Sequence, residues 1–237
     1  MCIICSKEYD ENTTDIWCCG NVTEIPVLPN LKTLYISGTK IKEIPLLLEL
    51  QFLCCAHTEI AKIPILPKLE NLNCRGTQIT EIPILPILDL LDCSDTKIKE
   101  IPILPELRYL DFANTKVTKI PILPKLIKLR CDYNRQIREL PIIPNLKYLD
   151  CCDTQITKIP LLNNLKYLDC SNTLITKIPY IKNCKIVSDN CRWLNPNAEI
   201  LNKVITTQKL IRQQIKKRVR IIHNSMRTHA YLVHVLI

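Results

Sequence analysis

The chain has 237 residues, 47% apolar and 23% charged, with a formal net charge of +9. That composition excludes intrinsic disorder, and no stretch reaches the roughly 20 apolar residues of a membrane-spanning helix. Three glycines against 16 prolines exclude collagen-like sequence, and the 14 cysteines raise the question of a disulfide framework.

Residues 1–30 read as an N-terminal cap. Ile3, Ile4, Cys5, Ile16 and Cys18 could form a capping strand that closes the open end of a core. Met1 to Asp10 shows no basic region followed by an apolar run, so no secretory signal is read there and a cytoplasmic location is expected. That location argues against disulfides. Cys2 and Cys5 form a C-x-x-C, with Cys18 and Cys19 following. Four thiolates can bind zinc, although adjacent cysteines fit a tetrahedral site poorly. The cap is the preferred reading, with zinc as the alternative.

Residues 31–183 are periodic. Ile25-Pro26 recurs at Ile44-Pro45, Ile63-Pro64, Ile82-Pro83, Ile101-Pro102, Ile120-Pro121, Leu140-Pro141, Ile159-Pro160 and Ile178-Pro179, with steps of 19 residues and a single step of 20. A second proline follows three residues later at Pro29, Pro67, Pro86, Pro105, Pro124 and Pro144. One unit reads Leu69-x-x-Leu72-x-Cys74-x-x-Thr77-x-Ile79, and eight units fit this pattern. It resembles the leucine-rich-repeat consensus, with cysteine for the third leucine and threonine for the asparagine. The resemblance implies a leucine-rich-repeat solenoid (α/β class by convention), with a parallel β-sheet on the concave face.

The physics of the unit agrees. The x-Leu-x stretch alternates in and out as a strand does. The paired prolines exclude a continuous helix, so the convex side should be extended or polyproline-II-like. One coil cannot bury its own leucines, whereas stacked coils can.

Cys55, Cys74, Cys93, Cys131, Cys151 and Cys170 occupy one core site, with Ile36 and Phe112 in the other two units. They read as small buried hydrophobes. Thr39, Thr58, Thr77, Thr96, Thr115, Thr154 and Thr173 form another column, whose hydroxyls should satisfy backbone groups of the turn.

Outward strand positions are where such an array can bind. Its second half shows Tyr109, Tyr148 and Tyr167 beside Asp92, Asp111, Asp150 and Asp169, with Arg130 interrupting the stripe and Lys128 beside it. Asp95, Asp132 and Asp153 follow on the adjoining turns. Tyrosines favour interfaces, and carboxylates attract a basic protein partner. The competing reading is that Tyr-Leu-Asp is an inherited copy on a solvated sheet.

Residues 184–196 read as a C-terminal cap and residues 197–237 as a basic tail. Nine of the 32 basic residues and one of the 23 acidic residues fall after residue 190, so the array itself is nearly neutral. Apolar spacing predicts an amphipathic α-helix over about 198–224, with Lys209, Arg212, Lys216, Lys217 and Arg220 on its basic face. It could cap the array, lie on an anionic membrane as a peripheral contact, or bind an acidic adaptor such as calmodulin. Nucleic acid fits less well, since no aromatic residues interleave with these lysines and arginines. No phosphate loop, G-x-S-x-G or H-E-x-x-H is present, so neither an enzyme nor a cofactor is expected. Nothing in the sequence reports oligomeric state.

The Ile-Pro-Ile-Leu-Pro units, the cysteine-for-leucine habit and Trp193-Leu194-Asn195-Pro196 before a basic helix are similar to leucine-rich-repeat proteins of giant, mimivirus-like DNA viruses of amoebae. That resemblance implies a protein-binding role in host cytoplasm or virion.

Overall fold

The computed structural model describes residues 3–18 and 20–191. Two units divide the chain, Met1–Trp193 and Leu194–Ile237. The tail helix expected over 198–224, with Lys209, Arg212, Lys216, Lys217 and Arg220, lies outside the described residues.

Ten three-residue strands form one parallel sheet in chain order: β1 Asp15–Trp17, β2 Thr33–Tyr35, β3 Phe52–Cys54, β4 Asn71–Asn73, β5 Leu90–Asp92, β6 Tyr109–Asp111, β7 Lys128–Arg130, β8 Tyr148–Asp150, β9 Tyr167–Asp169 and β10 Lys185–Val187. Each strand repeats its predecessor's register, as in Asn71↔Leu90, Leu72↔Leu91 and Asn73↔Asp92. The strands are short because a single inward leucine defines each one. Leu34, Leu53, Leu72, Leu91, Leu110, Leu129, Leu149 and Leu168 are all buried. A column from Ile41 to Ile175 is fully buried behind them. Coil-to-coil stacking therefore supplies the burial that one unit lacks.

Eight units were counted from the leucines, and the sheet adds a strand at each end. Asp15–Trp17 and Lys185–Val187 lack the full consensus but pair in register with β2 and β9, and Trp17 stacks on Tyr35. Ile16 is fully buried, whereas Ile186 at the far edge is 40% exposed. The N-terminal expectation needs correction. Ile3–Ser6 is a one-turn helix, α1, packed on β1, and Cys5 is exposed on it. Ile16 and Cys18 join the core; Asp15–Trp17 already occupies the sheet edge that a strand of residues 3–5 would have needed.

The proline-rich halves carry neither helix nor strand. Instead the chain turns back toward the sheet, with hydrogen bonds such as Leu69 N to Leu66 O at 3.1 Å and Leu88 N to Leu85 O at 3.2 Å. Pro67 and Pro86 take the second position of these turns, which their fixed φ suits. Lys68–Glu49 and Lys125–Glu106 are exposed pairs between successive coils, each contributing at most about 1 kcal/mol.

The cysteine and threonine columns fall as their spacing predicts. The six column cysteines are fully buried. Cys74 donates weakly to Asp92 O at 3.4 Å and Cys151 to Asp169 O at 3.3 Å, each bond reaching the next coil. Burial raises their pKa well above the ordinary thiol range. Thr58, Thr77 and Thr154 each donate from Oγ1 to the carbonyl three residues back, at 2.7 Å.

Candidate functional site

The outward face of the sheet carries two columns. The first runs Tyr109, Lys128, Tyr148, Tyr167, Lys185 in register. Tyr148 and Tyr167 stack with centroids 4.6 Å apart and planes within 6°. Lys128 Nζ stands 4.9 Å from the Tyr148 centroid and Lys185 Nζ 5.8 Å from that of Tyr167. Such cation–π contacts fix a lysine over an aromatic face. The three tyrosines therefore do not form one group: Lys128 separates Tyr109 from the stacked pair.

The second column runs Asp92, Asp111, Arg130, Asp150, Asp169. Each aspartate also serves its own turn. Oδ1 of Asp92 accepts from Ser94 N at 3.1 Å, that of Asp111 from Ala113 N at 3.1 Å, and that of Asp169 from Ser171 N at 3.0 Å. Oδ1 of Asp150 accepts from Cys152 N at 3.4 Å. This is local side-chain-to-backbone bonding two residues on. The recurrence of Tyr-Leu-Asp thus has a structural component that the sequence pattern alone did not reveal.

Arg130 is the centre of the face. Its guanidinium lies 3.0 Å from Asp111 Oδ2, 3.5 Å from Asp132 Oδ2 and 3.6 Å from Asp150 Oδ2. Burial works against the arginine's charge, but the three carboxylates hold its pKa above the ordinary value. Burial also raises the pKa of Asp111. Asp132 is pushed up to about 6, first by burial and then by Asp150, with Arg130 pulling the other way. Its Oδ1 is buried and has no hydrogen-bond partner.

A recess of about 370 Å³ opens at the carboxyl ends of β4–β7, lined by Arg75, Asp95, Asp111, Ala113, Arg130, Asp132 and Tyr133 among others. Arg75 is held by Asp95 at 2.9 Å. The coil of β7 contains the extra residue. Its Asn134, in the threonine position, is fully buried. Asn134 Nδ2 donates to Phe112 O at 2.9 Å and Cys131 O at 3.0 Å, while Oδ1 accepts from Thr115 N at 2.8 Å. It ties two coils together where threonine ties only one.

Two features escaped the sequence reading. The residue before each threonine of the column, or before Asn134 in its place, has positive φ: Gly38, His57, Gly76, Asp95, Asn114, Tyr133, Asp153 and Asn172. Glycine, aspartate and asparagine tolerate this region, but a tyrosine there is an outlier. The enrichment of Gly, Asn and Asp at this phase was the available signal. The second is an apolar ridge on the proline side. Leu46, Ile65, Ile84, Ile103, Ile122, Ile142 and Leu161, each directly after the first proline of its unit, are 56–73% exposed.

Cys5 is exposed and Cys18 buried; Cys2 and Cys19, the other two residues of the four-cysteine alternative, lie outside the described residues. Among the described residues no cluster of His, Cys, Asp and Glu is placed to hold a metal ion, and no helix is long and apolar enough to cross a membrane.

Residues 144–183 match the family described as Leucine Rich repeats (2 copies). Among solved structures, the functional domain of InlJ from Listeria monocytogenes, described as including a cysteine ladder, aligns over 77% of this chain and 45% of its own, at 24% identity with a TM-score of 0.72. YopM from Yersinia enterocolitica WA-314 aligns over 74% of this chain and 49% of its own, at 24% identity with a TM-score of 0.53. The chain thus spans under half the length of each of these structures. A comparison with curated proteins gives no match. Both structural matches are bacterial, and the resemblance to viral repeat proteins gains no support from them. The shared fold is generally non-catalytic and typically serves protein–protein interaction. By its repeats, its parallel sheet and its structural matches, the chain has the fold of a leucine-rich-repeat solenoid.

Proposed function

We propose that the chain is a non-enzymatic scaffold that binds a basic protein on the outward sheet face between Asp92 and Asp169. The observation that carries this reading is the carboxylate column beside the stacked pair Tyr148 and Tyr167. Stacked tyrosines offer rigid contact area at low entropic cost, and the carboxylates speed encounter with a cationic surface. A reducing compartment suits the six buried thiols of the cysteine column, which are not joined as disulfides.

The test is a titration of the full-length chain with a fluorescent cationic peptide at low and high salt. Binding that weakens with salt, and weakens further in Tyr148→Ala/Tyr167→Ala and Asp92→Asn/Asp169→Asn, supports the reading. Failure to bind at low salt, or indifference to all four substitutions, overturns it.

A second reading rests on the tail's excess of basic residues: an adaptor held on an anionic membrane or an acidic protein through Lys209, Arg212, Lys216, Lys217 and Arg220. Salt-sensitive binding of the full chain to vesicles containing phosphatidylserine, lost when these five are neutralised, supports it.

A further inference from the structure

We propose that the recess beside Arg130 is a socket for one cationic side chain of the bound protein, with Asp132 as its specificity-determining carboxylate. The inference deepens the scaffold reading and rests on it.

The charge balance comes first. Arg130 is shared by Asp111, Asp132 and Asp150, so three carboxylates surround one guanidinium and two negative charges stay uncompensated. Arg75 acts on Asp111 as well, but its own charge is matched by Asp95 at 2.9 Å, so the excess of carboxylates stands. The recess is therefore anionic although two arginines line it.

The second observation is Asp132 itself. Its side chain is 6% exposed, it lines the recess, and its Oδ1 has no hydrogen-bond partner. Its Oδ2 meets Arg130 at 3.5 Å, the long end of any hydrogen bond. A buried carboxylate held this poorly lacks a donor. A cation in the recess would supply one once the carboxylate rotates toward it. Burial first, and then the neighbouring Asp150, raise the pKa of Asp132.

Shape agrees with charge. Ala113 keeps the recess open with the smallest side chain that has a Cβ, and Tyr133 stands at the rim, 58% exposed. Tyr133 holds φ at 60°, the left-handed turn that the residue at this phase takes in each coil, and it places a bulky ring where the other coils carry Gly, His, Asp or Asn. Asn134 fixes the next position of that turn by its bonds to Phe112, Cys131 and Thr115. An aromatic rim over an anionic floor suits lysine or arginine, which can lie on the ring and pair with the carboxylate. A metal ion fits less well, because Arg130 already occupies the space between the carboxylates and no ligating cluster is placed there among the described residues.

The test uses the full-length chain and a short fluorescein-labelled poly-arginine peptide, with affinity read by anisotropy. Asp132→Asn removes the charge from the socket. Asp169→Asn removes one from the same face two strands away. Ala113→Leu fills the cavity. The expected result is a loss of about tenfold or more for Asp132→Asn and Ala113→Leu, and a much smaller loss for Asp169→Asn. Lowering the pH from 7 to 5 should weaken wild-type binding more than that of Asp132→Asn, because the socket carboxylate then takes a proton; Asp111, Asp150, Arg130 and Tyr133 face it in both proteins.

Equal losses for Asp132→Asn and Asp169→Asn, with Ala113→Leu binding normally, would overturn the socket and leave the scaffold reading standing. No binding of the peptide by the wild type would overturn both. Asp132→Asn relieves a buried charge, so misfolding does not obscure its result.

Discussion

Asp132→Asn should stabilise the fold at neutral pH. The carboxyl has a pKa of about 6 in the folded chain against an ordinary value of 3.8. Each unit of difference is worth about 1.4 kcal/mol, so roughly two units make the ionised group cost about 3 kcal/mol. The sign follows from the protons held by each state. Between pH 3.8 and 6 the folded chain keeps this proton more tightly than the unfolded one, so the contribution falls as pH rises through that window. Above it the cost is complete, and below it the cost vanishes. Asparagine resembles the protonated acid, so it should gain up to about 3 kcal/mol at pH 7.5 and almost nothing near pH 3.5. Urea unfolding followed by circular dichroism at both pH values measures the difference as a shift in midpoint. A variant no more stable than wild type at pH 7.5, or one with the same advantage at both pH values, refutes the reasoning. Burial shifts Asp111 in the same direction, so part of the wild-type pH dependence should survive in the variant.

Other outcomes are equally definite. Asn134→Ala should cost about 2–5 kcal/mol, because it strands Thr115 N–H and Cys131 O, which the amide now satisfies, whereas Thr96→Val, which gives up one bond to Cys93 O, should cost about 1 kcal/mol; equal midpoint shifts in urea would contradict this. Ile98→Ala empties a fully buried site and should cost about 2–5 kcal/mol, while Ile103→Ala, on the exposed ridge, should stay within about 0.5 kcal/mol, both read by thermal unfolding. Tyr148→Ala should leave stability within about 1 kcal/mol yet weaken cationic-peptide binding, and a change in stability alone would count against a role in binding.

The repeat, the inward leucines, the cysteine column and the threonine column were legible because each depends on one residue recurring at a fixed phase. The last strand was not, and the first only in part, through Ile16 and Cys18 of the expected capping strand. Asp15-Ile16-Trp17 and Lys185-Ile186-Val187 pair by backbone hydrogen bonds with neighbours whose register is already fixed, so consensus side chains were unnecessary. The outward positions of Tyr148, Tyr167 and the aspartates followed from strand alternation. The splitting of the tyrosines by Lys128 also follows from register, but the stacking does not, because it depends on rotamers. The recess was illegible for another reason. It joins turns from four successive coils, and its central carboxylate, Asp132, sits where other coils carry serine, alanine, arginine or cysteine. Only the structure shows that Arg130 is shared among three acids, or that Asn134 bonds across to the preceding coil.

The cysteine column gives the molecule a recording device. Cys55, Cys74, Cys93, Cys131, Cys151 and Cys170 each lie in a different coil, fully buried, and burial suppresses the thiolate that alkylating reagents attack. Each sulfur can react only when its own coil opens, so its labelling rate under native conditions reports the opening free energy at that point, much as amide exchange does. Coils held by neighbours on both sides should open less often than those near an end. Alkylation followed by peptide mass spectrometry would then trace local stability along the array without an introduced probe, with Cys170 and Cys55 labelled before Cys93.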